Sequence, residues 1–219
     1  MRYYPISLDI AKKECLVVGG GSVGTRKSKR LLQCGAIVNV ISKDFTAELL
    51  NLEKTENLVL QNKPYNESDL EGQHLVISST DDKDLNKKIA SDADSRNILC
   101  NIADLPDASN FVLPSVVHRG DLTISISTSG KSPAFSRKLR KDLEKEFGDE
   151  YSRFLTLLGT ARKRLLASGH DPEAHKIVFR QLVESDLLEL IRLNKIESIN
   201  LLLEEILGKG FSYKALIEE

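Results

Sequence analysis

The apolar residues of this chain change their spacing along its length. Between Glu14 and Ile102, short apolar runs alternate with longer segments in which apolar residues recur every three or four positions. The runs Cys15–Val18, Ile37–Ile41, Leu58–Gln61, His74–Ser78 and Ile98–Ile102 read as strands. Helices fall between them, including Val23–Gln33, Thr46–Glu53 and Asp84–Asp94. That alternation predicts a parallel sheet covered by helices on both faces. After Pro106 the pattern becomes β-rich, with Phe111–Val117 and Leu122–Thr128 joined across His118-Arg-Gly-Asp121. Leu122, Ile124 and Ile126 alternate with Thr123, Ser125 and Ser127, as in a half-buried strand. From Ser132 the spacing is helical. Ser132-Pro133 is a serine N-cap with proline in the first turn, and Phe135, Leu139, Leu143 and Phe147 form one stripe. Asp171-Pro172 starts another helix, and Gly208 ends the last long one. Three regions follow: residues 1–110, 111–147 and 148–219.

Composition narrows this little. A chain of 219 residues with 41% apolar residues and a formal charge of −1 buries a real core, in one large domain or two small ones. Nothing in its charge suggests a nucleic-acid partner. No apolar run approaches the roughly 20 residues that span a bilayer. The N-terminus lacks the apolar stretch of a secretion signal, so the expected address is cytoplasmic, with no membrane partner. Cys15, Cys34 and Cys100 have neither disulfide nor metal spacing and are expected to be buried small hydrophobes. His74, His118, His170 and His175 show no ligand spacing either, so no bound metal is expected.

The candidate chemistry starts at Leu16-Val-Val-Gly-Gly-Gly-Ser-Val-Gly24, a G-x-G-x-x-G on Gly19, Gly21 and Gly24. Glycines at this spacing allow a tight turn, close approach of backbone to a pyrophosphate, and close packing of helix on sheet. The motif follows a predicted strand and opens a predicted helix, the context it requires. A Rossmann-type α/β domain over residues 1–110 is the expectation. Ser22 and Val23 offer backbone N–H groups to phosphate. Ser42, Lys43 and Asp44 end the second strand, with Asp44 about twenty residues beyond Gly24, where ribose hydroxyls are bound. Asp44 has a second reading as the cap of the helix starting near Thr46. NAD is the favoured cofactor, and Lys43, a cation that tolerates a 2′-phosphate, leaves NADP open. Thr80 and Asp81 follow the fourth strand and approach the nicotinamide side, whereas Asp82 and Asn86 have an equal reading as organisers of the next helix.

Val17-Val-Gly-Gly-Gly-Ser-Val-Gly-Thr-Arg-Lys27 resembles the opening signature of the siroheme synthase dehydrogenase family. Four further segments match in order: Ser79-Thr-Asp-Asp82 with Asn86, Cys100-Asn-Ile-Ala-Asp104, Phe111-Val-Leu-Pro-Ser115, and Ser127-Thr-Ser-Gly-Lys-Ser-Pro133 leading into Arg137. The likeness covers roughly residues 1–147. It implies NAD-dependent oxidation of precorrin-2 to sirohydrochlorin, and some members also insert ferrous iron, as a substrate, to give siroheme. It implies a tetrapyrrole partner and a homodimer in which the 111–147 linker and first helix serve dimerisation and substrate binding. Asp104 matches the family's central catalytic residue, placed to take a proton as hydride leaves the macrocycle. Its second reading is a turn aspartate before Leu105-Pro106. The substrate's carboxylates call for cations at a helix start, which points to Thr128, Lys131 and Arg137; each cation has the competing reading of a solvated surface charge. The rival function is a non-catalytic NAD-binding regulatory module. A short-chain dehydrogenase is weaker, because none of Tyr65, Tyr151 and Tyr213 has lysine four positions later.

Overall fold

The computed structural model describes residues 2–54, 57–103, 105–167 and 172–218, with only the backbone at 172–174. It divides into two units, Met1–Leu113 and Pro114–Glu219.

In the first unit the expected alternation becomes a five-stranded parallel sheet of order β3-β2-β1-β4-β5. The strands are β1 (Glu14–Gly20), β2 (Ile37–Phe45), β3 (Leu58–Asn62), β4 (Leu75–Ser78) and β5 (Leu99–Ile102). Three helices connect them: α1 (Ser22–Gln33), α2 (Ala47–Leu52) and α3 (Lys83–Ser95). Successive side chains of a strand face opposite ways, so β1 supplies both cores. Cys15 and Val17 pack with Leu31 of α1 and Leu49 of α2. Leu16 and Val18 pack with Ile89 and Ala93 of α3. The α/β Rossmann-type architecture expected from the sequence is therefore present. Gly35, with φ +77, follows α1 and donates its N–H to Leu32 O at 2.9 Å, the glycine stop expected there.

The second unit opens with the antiparallel pair β6 (Ser115–Arg119) and β7 (Leu122–Ile126), in which Arg119 faces Leu122 across a two-residue turn. The alternation predicted for Leu122–Ile126 holds, since Thr123 and Ser125 are exposed and Ile126 is buried. The first β run is shorter than expected. Pro114 has no N–H to give a ladder, and Phe111 O is taken by Asn101 Nδ2 at 3.0 Å. Helices α4 (Pro133–Glu146), α5 (Glu150–Ala167), α6 (Pro172–Glu184), α7 (Leu187–Arg192), α8 (Ile196–Leu207) and α9 (Tyr213–Ile217) follow. Ser132 caps α4 as predicted, its Oγ accepting from Phe135 N at 3.2 Å. Gly208 ends α8 at φ +87. Asp171 lies outside the described residues. Leu157, Leu182, Leu187, Ile191, Ile199, Leu203 and Leu216 close the core of α5–α9.

Two expectations differ. The stripe on α4 is only partly covered: Phe135 is 56% exposed, Leu139, Leu143 and Phe147 are half-buried, and Ser136 is the buried residue of the helix. A small residue lets α4 approach β6, where Ser115 Oγ donates to Ser136 Oγ at 3.4 Å. Of the cysteines, Cys15 and Cys100 are buried but Cys34 is exposed. It stands at the α1 C-cap, beyond the last core-facing residue of that helix.

Candidate dinucleotide-binding site

β1 ends at Gly20 and α1 begins at Ser22, so strand passes to helix through a single residue. Gly19 has φ +112, a conformation open to glycine, and a Cβ there would lie 2.8 Å from Ser79 Oγ. A Cβ on Gly24 would strike the Gly19 carbonyl oxygen and lie 2.9 Å from Ser79 Oγ. The helix can meet the strand only because both positions lack side chains. Gly21 differs: a Cβ there would meet nothing within 4 Å. That open side lies before the N-terminus of α1, which has no side-chain cap and no acidic residue in its first turn. The first α1 bond runs from Thr25 N to Gly21 O at 2.9 Å. The N–H groups of Ser22, Val23 and Gly24 therefore have no partner within the helix. Uncapped donors at the positive end of a helix dipole, facing open space, fit a pyrophosphate.

Thr25, which the sequence did not single out, holds this turn. Its Oγ1 lies 2.9 Å from Gly21 O and 2.7 Å from Thr46 Oγ1. A hydroxyl has one proton. Thr25 gives its proton to Gly21 O, so Thr46 must donate to Thr25. Thr46 Oγ1 also accepts from Leu49 N at 3.2 Å, and Thr46 N donates to Gly20 O at 3.1 Å. Thr46, not Asp44, caps α2. Ser79 closes the other side, its N–H on Val18 O at 2.8 Å and its hydroxyl shared between Val18 O and Gly19 O. The available signal was a threonine on the sheet-facing side of a helix, where Thr25 is 2% exposed.

Ser42, Lys43 and Asp44 were expected just beyond a strand ending at Ile41. They lie inside β2, which runs on to Phe45 because its end pairs again, Gly20 opposite Phe45, after a register shift. The backbone of Asp44 packs on Gly20, where a Cβ would meet Asp44 O. The Asp44 carboxylate is exposed and has no hydrogen-bond partner among the described residues. Lys43 is exposed, and its carbonyl accepts from Asn62 Nδ2 at 2.9 Å.

At the end of β4 the buried Asn86 gathers the loop. Its Oδ1 accepts from Ser78 Oγ at 2.6 Å and Thr80 Oγ1 at 2.8 Å, and its Nδ2 donates to Thr80 O at 3.0 Å. Asp82 caps α3 through Oδ1, which accepts from Asp84 N and Leu85 N, both at 3.0 Å. Thus Thr80 is held in place and Asp82 is a helix cap. Asp104 lies outside the described residues. The residues around it are tied down by Ser109, whose Oγ accepts from Ile102 N at 2.9 Å and donates to Leu105 O at 3.1 Å. Asn110 continues along β5, with Oδ1 on Cys100 N at 2.7 Å and Nδ2 on Ile98 O at 3.0 Å. These side chains satisfy the edge of β5 and were not anticipated. A polar Ser-Asn pair between apolar runs was the only trace of them.

The three proposed substrate residues belong to the second unit. Thr128 shapes the entry to α4: its Oγ1 accepts from Ser132 N at 3.2 Å and its carbonyl accepts from Lys131 N at 3.0 Å. Ser129 at φ +52 and Gly130 at φ +80 make the tight turn between them. The side chains of Lys131 and Arg137 are exposed. Among the described residues no three His, Cys, Asp or Glu side chains gather as metal ligands, and no helix is long and apolar enough to cross a membrane.

A glycine turn feeding an uncapped helix at the carboxyl end of a parallel sheet defines a dinucleotide-binding α/β protein. Residues 6–115, half of the chain, match the family model described as putative NAD(P)-binding, and the chain belongs to that family. Residues 119–146 match the model described as sirohaem biosynthesis protein central. Among curated proteins, the siroheme synthase of Vesicomyosocius okutanii is 34% identical over 197 residues, covering 90% of this chain and 42% of that protein. The siroheme synthase of Nitrosococcus oceani is 33% identical over 211 residues, covering 96% and 45%. The chain thus spans less than half the length of these relatives. A solved structure described as SirC, precorrin-2 dehydrogenase, superposes with a TM-score of 0.77 at 25% identity, covering 93% of this chain and 98% of that one.

Proposed function

We propose that this protein is an NAD+-dependent dehydrogenase that converts precorrin-2 to sirohydrochlorin. One observation carries the proposal: the likeness to SirC, precorrin-2 dehydrogenase, runs through nearly the full length of both chains. The two family models, on consecutive segments, and the siroheme synthase relatives support the same assignment.

When bound, the nicotinamide accepts the hydride that the macrocycle loses. The N–H groups of Ser22, Val23 and Gly24 hold the pyrophosphate, Gly21 leaves it room, Gly19 makes the turn, and Ser42, Lys43 and Asp44 flank the ribose. Thr80, fixed by Asn86, lines the nicotinamide side. The macrocycle must also lose a proton, and Asp104 is the general base assigned to it. Ser109 anchors the chain on both sides of that residue. Thr128, Lys131 and Arg137 receive substrate carboxylates. We also assign a homodimer, for which the exposed Phe135 on α4 is the supporting feature, and a cytoplasmic address. Ferrous iron is assigned as a second substrate, for insertion into the sirohydrochlorin formed.

The test is an anaerobic assay with precorrin-2 and NAD+, following NADH and sirohydrochlorin together, with ferrous iron added afterwards. Equal appearance of both products is expected, and Asp104→Asn should bind NAD+ as the parent does and not turn over. NAD+ binding without turnover by the folded parent protein would overturn the dehydrogenase in favour of a regulatory module. Full activity in Asp104→Asn would remove that residue from the central role.

A further inference from the structure

The helical unit carries a groove that neither the cofactor nor the proposed substrate residues use. It lies where the end of α6, the start of α7 and one side of α8 meet, and it has a volume of about 470 Å³. Helix α8 has two apolar faces. Ile199 and Leu203 are fully buried in the core of the unit. Ser198, Leu201, Leu202 and Glu205, spaced i, i+3, i+4 and i+7, form a second stripe, and this one lines the groove. Leu190 of α7 adds a third leucine. Leu201 is 70% exposed, the most exposed leucine among the described residues. A helix whose other face already fills the core thus leaves an apolar stripe open to solvent.

The charges around these leucines have one sign. Glu184, Asp186 and Glu205 line the groove, and no lysine or arginine does. Their carboxylates make no ion pair among the described residues, and Asp186, at the start of α7, makes no capping bond either. The neighbouring acids differ: Arg192 takes Glu150 at 3.1 Å and Glu189 at 2.8 Å. Nor do the three groove acids gather as metal ligands. Exposed leucines among uncompensated carboxylates are complementary to apolar side chains one turn apart with cations beside them. A basic amphipathic helix presents both at that spacing. From Ser198 to Glu205 the stripe runs about 10 Å along α8, enough to face about two turns of such a helix.

We propose that the groove between α6, α7 and α8 docks a basic amphipathic helix of another protein. Leu190, Leu201 and Leu202 receive its apolar anchors, and Glu184, Asp186 and Glu205 receive its lysines or arginines. This surface does not depend on the dehydrogenase assignment, because every residue of it belongs to the helical unit.

Fluorescence anisotropy of the full chain tests it with a labelled leucine–lysine peptide of about 15 residues, amphipathic as a helix. A peptide of the same composition in scrambled order is the control. The amphipathic peptide should bind with a dissociation constant of about 100 μM or tighter, and the scrambled one about tenfold more weakly or worse. Leu201→Ser, and separately the triple variant Glu184→Gln, Asp186→Asn, Glu205→Gln, should each weaken binding by about tenfold or more. All these positions are exposed, and unchanged helical circular dichroism reports that the variants are folded. No binding, equal binding of the scrambled peptide, or unchanged affinity in the folded variants overturns the proposal. Sedimentation of the parent as an oligomer that Leu201→Ser dissociates would also overturn it, since a second copy would then fill the groove.

Discussion

Thr25 ties the glycine turn to the end of the second strand, and replacing it with valine tests that link. Valine keeps the shape and loses the hydroxyl. Two hydrogen bonds go, one to Gly21 O at 2.9 Å and one from Thr46 Oγ1 at 2.7 Å. Gly21 O keeps its bond from Thr25 N, but the Thr46 hydroxyl loses its acceptor in a part-buried place. At about 0.5–1.5 kcal/mol net for each bond, Thr25→Val should cost about 2 kcal/mol. Thr25→Ser keeps both bonds and removes one buried methyl, about 0.8 kcal/mol. The predicted order of stability is parent, then serine, then valine, with serine and valine about 1 kcal/mol apart. Urea unfolding measures it, on the transition that NAD+ shifts to higher denaturant, since a ligand stabilises only the unit that binds it. NAD+ affinity should fall with valine and hold with serine. A valine variant within about 0.5 kcal/mol of the parent, or above serine, would refute the proton-ordered Thr46–Thr25–Gly21 chain.

Other consequences are as direct. Gly24→Ala places a Cβ against Gly19 O, so the turn must shift; NAD+ binding should be lost and stability should drop by about 1–3 kcal/mol, read by titration and urea unfolding. Burial pushes the Cys15 and Cys100 thiols up to about 11, so a thiol reagent at mildly alkaline pH should label the native chain once, at Cys34, and a second rapid label would contradict the sheet packing. In the helical unit, burial raises the Glu150 pKa, but backbone hydrogen bonds and Arg192, at 3.1 Å, outweigh it and hold the carboxyl below its usual range. A depressed carboxylate stabilises the fold above its unfolded value of about 4.3, and that contribution is lost as pH falls through the lower folded value. Urea midpoints across this range should fall more steeply for the parent than for Arg192→Gln; equal slopes would count against the pair.

Most of the architecture was legible because it depends on local spacing. Five buried runs separated by helical segments specify a parallel sheet whatever their order in space, and Ser132-Pro133 caps α4 as a local signal should. Boundaries were misjudged where a distant chain intervened. β2 runs past Ile41 because Gly20 offers it a second partner, and Phe111–Pro114 leaves the strand because Pro114 cannot donate and Asn101 claims Phe111 O. The apolar stripe of α4 was visible in the sequence, but the exposure of Phe135 at its start was not. Periodicity defines a face without saying what covers it.

The sequence by itself determined the strand–turn–helix at Gly19–Gly24, since steric permission and uncapped N–H groups are properties of a few adjacent residues. Only the tertiary structure decided what surrounds it. Thr25 and Thr46, twenty-one positions apart, form one hydrogen-bond chain, and Ser78 and Thr80 converge on the side-chain amide of Asn86. Ser109 reaches back to Ile102, and the register shift between β1 and β2 sets Phe45 opposite Gly20. The reason is physical. A hydrogen bond or a strand register between remote segments depends on where the packed sheet places them, and spacing along the chain carries no such information.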